Sequence, residues 1–127
     1  MSQKTIRIAG WVLTIVLALL FTMSAFMKLS QNEAAQAQAA ALGLSGATYQ
    51  IIGMVEILAL LLFLVPRTGV VGALFLIAYM GGAIATHLEH GQPVTMAVAV
   101  QVLLWMATAL RFPELLQRLR FAKIRTK

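Results

Sequence analysis

Three side chains that can hold a charge or move a proton sit inside, or at the edge of, apolar stretches: Lys28, Glu56 and His87. Glu56 lies well within Ile51-Ile52-Gly53-Met54-Val55-Glu56-Ile57-Leu58-Ala59-Leu60-Leu61-Leu62-Phe63-Leu64-Val65. A carboxyl group at membrane depth costs on the order of 2.5–3.5 kcal/mol on insertion scales, and more without a partner. It must therefore be protonated, paired or turned toward a wet cavity. Lys28 is the partner the chain offers, and a partly buried Lys28–Glu56 ion pair with His87 at its entrance is the arrangement we expect. Three further residues join the candidate cluster: Gln101, Trp105 and Tyr79.

Other chemistries find little to work with. His87-Leu88-Glu89-His90 puts two imidazoles at i and i+3, but spacing fixes no third ligand, and no metal is expected there. The chain has no cysteine, so thiol–disulfide exchange is beyond it acting alone. Neither a glycine-rich nucleotide loop nor a nucleophile elbow is present.

The elements that must position these residues follow from composition. Of 127 residues, 61% are hydrophobic and 11% charged, with a mean hydropathy of +0.88. Soluble domains carry about 25% charged residues, so water is not the main solvent of this chain. Stretches long enough to cross a bilayer lie at Ile8–Met27, Tyr49–Val65, Val70–Leu88 and Val94–Leu110. Of these the second is among the shortest, near the lower limit of about 17 residues. The expected fold is an all-α integral membrane antiparallel four-helix bundle in a single domain. The first apolar run exceeds the ~7–15 residues of a signal core, and an uncleaved span is expected.

Charge sets the expected orientation. Lys4, Arg7, Arg67, Arg111, Arg118, Arg120, Lys123, Arg125 and Lys127 fall on the side of the termini, while Lys28 alone falls on the other. Basic residues stay cytoplasmic, which points both termini inward in a bacterial inner membrane. The net charge of +6 thus reflects topology, and no nucleic-acid partner is expected. The basic tail over residues 111–127 should open with a helix at Pro113, whose Leu115, Leu116 and Leu119 share one face. Such a helix can lie on anionic lipid or dock a protein partner.

Local signals add detail. Ser30-Gln31-Asn32-Glu33 fits a capping box, so a short outer-surface helix should follow Ser30 and stop near Gly43. Gly69-xxx-Ala73 and Ala78-xxx-Gly82-xxx-Thr86 provide small residues for close helix approach. Gly81 and Gly82 are expected at the tightest contact, within the monomer or alternatively between copies in a homo-oligomer. Counting about 1.5 Å per residue puts Glu56 roughly 10 Å below the outer surface, with Gln101 at a similar depth. Gln101, Trp105 and Thr108 share a face of the fourth helix, and Tyr79 could add a phenol deeper in. Taken singly, Lys28 reads as a snorkelling interfacial residue, His87 as a boundary residue bonded to a loop, and Gln101 as an interhelical hydrogen-bond partner. Glu56 differs, because function is the default reading of an intramembrane carboxylate.

The order Ser24-Ala25-Phe26-Met27-Lys28-Leu29, Ile52-Gly53-Met54-Val55-Glu56, Val65-Pro66-Arg67 with Gly72-Ala73, and Gly82-Ala83-Ile84-Ala85-Thr86-His87 resembles the DoxX-like family of small four-span membrane proteins. The resemblance covers almost the whole chain before the basic tail, and Lys28, Glu56 and His87 stand where that family has Lys, Glu and His. It implies an accessory role in a membrane redox or oxidative-stress system, with a quinone-like or lipid-like amphiphile as the ligand. It also admits a non-catalytic assembly or chaperone role, as in a distant animal relative. A third reading, a small proton-coupled transporter, fits less well, because such proteins often carry weak charge bias and here the bias is strong. No redox cofactor site of the chain's own is readable.

Overall fold

The computed structural model describes residues 2–119, which are almost wholly helical and, among themselves, contain no strand. Helix α1 spans Gln3–Ser30, α2 Glu33–Ala41, α3 Gly46–Leu64, α4 Gly69–Glu89, α5 Thr95–Arg111 and α6 Pro113–Leu119. Side-chain caps open α1 and α3. The Ser2 hydroxyl accepts from the Thr5 amide at 3.1 Å, opening α1, and Ser45 does the same for Thr48 at the head of α3. A single 3-10 turn, Pro66–Thr68, reverses the chain between α3 and α4. Proline there cannot continue the α3 hydrogen-bond ladder.

Helices α1, α3 and α4 are long and apolar enough to cross a membrane. The 17 residues of α5, shorter than α3 with 19, make the fourth segment rather than the second the shortest. It passes the same test only together with α6, and the two are bent by 101°. The bend falls at Phe112-Pro113, where the residue before a proline is pushed out of the helical region. Of the basic tail expected over 111–127, positions 120–127 lie outside the described residues.

The long helices form a ring in which α1 packs on α3 and α5, and α4 on α3 and α5. The start of α1, the end of α5 and the Pro66–Thr68 turn lie at one end, where Gly10 meets Arg111 and Gly69 meets Phe112, and α2 rests on α3 and α1 at the other. Leu17 and Phe21 of α1, Leu60 and Phe63 of α3, Leu76 of α4 and Leu104 of α5 fill the centre. The outside is as apolar as the inside: Phe26 is 72% exposed, Leu19 63% and Leu58 61%. A band of this kind is stable where lipid tails cover it, and helices satisfy the backbone there. The protein is thus an all-α membrane helical bundle.

Two local expectations need correction. The short helix is not opened by a Ser30 capping box: Ser30 ends α1, and its hydroxyl donates to the Met27 carbonyl. Gln31 takes a left-handed φ of 56°, which breaks the chain direction. The Asn32 side chain then caps α2 by accepting from the Ala35 amide at 2.8 Å. Gly43 does follow the helix, with a φ of +72° that suits glycine.

The second correction concerns glycine packing. A methyl group at Gly81 or Gly82 would meet nothing within 4 Å. The tight point lies further back on α4, at Gly72, where any side chain would run into the backbone of Phe63 on α3. Periodicity cannot separate these positions, because small residues fill gaps as often as they close them.

Candidate functional site

Glu56 is 1% exposed and faces the inside of the ring from the middle of α3. Three donors from two other helices converge on one of its oxygens. The Lys28 ammonium stands 3.1 Å from Glu56 Oε1, the Tyr79 hydroxyl donates to it at 2.9 Å, and the Ser24 hydroxyl at 3.4 Å. Lys28 also donates to Ser24 Oγ, one helical turn back on α1. A buried pair of charges needs partners for its remaining polar atoms, and this network supplies them to Glu56 Oε1 and to two of the Lys28 protons.

Local sequence explains the convergence. Ser24 and Lys28 are four apart on α1 and so share a face, as do Tyr49, Gly53 and Glu56 on α3. Gly53 lets α1 come close: a side chain there would stand 2.9 Å from Lys28 Cβ and 3.3 Å from the Ala25 carbonyl. Two aromatic rings flank the ammonium, Tyr49 with its centroid at 5.5 Å and Tyr79 at 6.0 Å. Cation–π attraction of this sort is strongest where water is scarce.

Above this floor lies a recess of about 680 Å³, lined from all four long helices, from Gln38 of α2 and from the Leu42–Leu44 loop. Its walls are mostly apolar, with Leu20, Phe21, Ile52, Met80 and Val100 prominent, and Thr86 and His87 stand on the α4 side. The volume falls within the ~300–1,000 Å³ typical of small-molecule sites, and so does the character of an apolar body with few polar groups. Beside it the loops after α2 and α4 meet, where Gly43 has so little room that a side chain would lie 2.6 Å from His90 Nε2.

Of the residues singled out from the sequence, Lys28, Glu56, Tyr79 and His87 line this recess. Gln101 and Trp105 do not. Gln101 donates across the helix interface to the Ile77 carbonyl at 3.2 Å. Trp105 is 48% exposed and borders a small cleft with Leu115, Leu116 and Leu119 of α6. Depth counting gives height but not direction around the helix. The buried stripe of α5 is Val100, Leu104 and Ala107, one residue behind Gln101, Trp105 and Thr108. Thr108 is buried, but its hydroxyl is spent on the Leu104 carbonyl of its own helix.

Sequence reasoning missed Ser24, Tyr49 and Thr86. Spacing could have found the first two, since both lie on the faces already occupied by Lys28 and Glu56. Both histidines bond to carbonyls of their own helix, His87 Nδ1 to Ala83 at 2.7 Å and His90 Nδ1 to Thr86 at 2.9 Å. Among the described residues, no group of three or more His, Cys, Asp or Glu side chains is placed to hold a metal ion.

A helical membrane protein with a charged, hydrogen-bonded cluster under an apolar recess is the class these observations define. The model of the DoxX-like family matches residues 12–110, which takes in α1 from its third turn and runs almost to the end of α5, and the chain belongs to that family. No curated protein and no solved structure matches the chain.

Proposed function

We propose that the protein is an accessory membrane subunit that holds an amphiphile in the recess above Glu56 and serves a membrane redox or oxidative-stress system. The observation that carries the binding part is the recess itself: about 680 Å³, mostly apolar, with Lys28, Glu56, Tyr79 and His87 among its polar lining. An apolar tail can lie along Leu20, Met80 and Val100 while a polar head meets the cluster. The redox association rests on family resemblance, and the electron carrier belongs to a partner protein. Lysine and arginine bias supports a bacterial inner-membrane location with both termini cytoplasmic. In that orientation the recess opens in the outer half, and α5 serves as the fourth span.

The test is native mass spectrometry of the purified protein. Wild type should carry an amphiphile, and Gly82→Leu should lose it. Gly82 lines the recess and has open space around it, so the larger side chain fills the site without touching the ion pair. Unchanged occupancy in a well-folded Gly82→Leu protein, or an empty wild type, would overturn the reading.

A second reading has its own support. The Lys28–Ser24–Glu56–Tyr79 network ties α1, α3 and α4 together, as a device for fixing helix register in a scaffold would do. It expects the double variant Lys28→Met with Glu56→Gln to fold and still bind its protein partner, with no ligand involved, and loss of the partner in that well-folded variant would count against it.

A further inference from the structure

The polar groups of the recess have spent nearly all their protons inside the chain. Ser24 and Tyr79 donate to Glu56 Oε1, and Thr86 donates to the Gly82 carbonyl at 2.8 Å. A carbonyl can only accept, so the His87 Nδ1 contact with Ala83 puts the ring proton on Nδ1. In the neutral ring, Nε2 is then an acceptor. Lys28 uses two of its three protons, on Ser24 and Glu56.

What remains is a surplus of acceptors. Every bond to the Glu56 carboxylate goes to Oε1, and among the described residues Oε2 accepts none. Oε2 is also not sealed away from solvent: among the described residues the buried side-chain atom without a partner is Gln101 Oε1, on another interface. Glu56 Oε2 therefore opens onto the recess. Tyr79 Oη, Thr86 Oγ1 and His87 Nε2 have lone pairs to spare as well. The donors left over are one Lys28 proton, the Tyr49 hydroxyl and the Gln38 amide.

We infer, building on the amphiphile-binding reading, that the recess takes a neutral amphiphile whose head carries hydroxyl groups that donate to Glu56 Oε2 and its neighbouring acceptors. Charge narrows the class. A carboxylate or phosphate head brings more acceptors and a second negative charge beside Glu56. An alkylammonium brings donors but sets a cation against Lys28. An oxidised quinone has carbonyl oxygens that only accept. An alkyl hydroquinone and a monoacylglycerol share the chemistry that fits: uncharged, apolar in the tail, with two O–H donors at the head.

Isothermal titration calorimetry in an amine-oxide detergent, whose head has no hydroxyl to compete, separates these classes. The probes are decylhydroquinone, its dimethyl ether, the matching decylquinone, monodecanoylglycerol, decanoate and decylamine. Decylhydroquinone or monodecanoylglycerol should bind about tenfold or more tighter than the ether, the quinone and the two charged probes. Which of the two binds better tells whether the source is a diphenol or a glycerolipid. The preference over the ether should shrink severalfold in Thr86→Val and in His87→Phe, which leave the ion pair intact. Equal binding of ether and diphenol, or preference for an acceptor-only or charged head, overturns the inference but leaves an amphiphile site standing. Binding of no probe overturns both.

Discussion

The Tyr79 hydroxyl and the Lys28 ammonium share a single oxygen of Glu56, at 2.9 Å and 3.1 Å, from two different helices. The carboxylate is thus held from α4 and α1 at once while it belongs to α3. Removing any one partner leaves the others in place, so the loss on substitution depends on what remains unpaired rather than on the bond removed.

Lys28→Met strips the cation from a carboxylate that is 1% exposed. Breaking a buried pair in this way costs about 3–5 kcal/mol. Because Ser24 and Tyr79 still donate to Glu56, the loss should fall toward the lower end. The double variant Lys28→Met with Glu56→Gln removes both charges and should be more stable than Lys28→Met alone. Unfolding in mixed micelles over a denaturant series measures wild type, Lys28→Met and the double variant, and a double variant less stable than Lys28→Met would contradict the coupling.

Gly72 and Gly82 should respond in opposite ways to the same substitution. Gly72→Ala drives a methyl group into the Phe63 backbone, which cannot swing aside as a side chain can. Overpacking of this kind costs about 1–3 kcal/mol or more, and the yield of folded, monodisperse protein should drop sharply. Gly82→Ala meets open space and gains up to about 1 kcal/mol of helix propensity. Size-exclusion profiles and melting curves decide the matter, and a damaging Gly82→Ala would mean that the recess is filled.

This contrast marks where the sequence was legible and where it was not. Length and hydropathy gave the helices to within a few residues, because apolar runs end where chain direction must change. They also singled out Lys28 and Glu56, since charge inside such a run has few explanations. Direction around each helix was hidden. In a membrane both the core stripe and the lipid stripe are apolar, so Leu104 and Trp105 look equivalent although one is 0% and the other 48% exposed. Small residues were ambiguous for the same reason. Gly72 and Gly82 are alike in the sequence, and only the neighbouring helix tells a contact from a gap.

Arg111 is held by more than its charge. Its guanidinium lies 4.1 Å from the Trp11 ring centroid, 4.7 Å from Phe112 and 4.8 Å from Phe63, and it donates to the Phe63 carbonyl at 2.8 Å. That carbonyl belongs to the last turn of α3, where helix acceptors lack partners. One flat group thus fastens α1, α3 and α5 at the end of the bundle where α1 begins and α5 ends. Lysine keeps the charge but neither stacks nor forks in the same way. Arg111→Lys should lose about 1–3 kcal/mol and alter the fluorescence of Trp11, read against a Trp105→Phe background. A variant as stable as wild type would reduce the aromatic cage to a surface arrangement.

Asn32 and Ser30 make the sharpest test of how α2 is set over the recess. The Asn32 side chain accepts from Ala35, so Asn32→Ala should weaken the helix by about 1 kcal/mol. The Ser30 hydroxyl serves the Met27 carbonyl at the end of α1 instead, and Ser30→Ala should leave α2 intact. Ala35 and Ala39 are both 1% exposed and pack in one cluster with Leu42 and Tyr49, so a loosened α2 also loosens Tyr49, whose ring flanks the Lys28 ammonium. Hydrogen exchange resolves the two variants: the amides of 35–41 should exchange about fivefold faster in Asn32→Ala, the equivalent of about 1 kcal/mol. They should be unchanged in Ser30→Ala. If Ser30→Ala opened α2 as far as Asn32→Ala does, the capping box would be the true start of the helix.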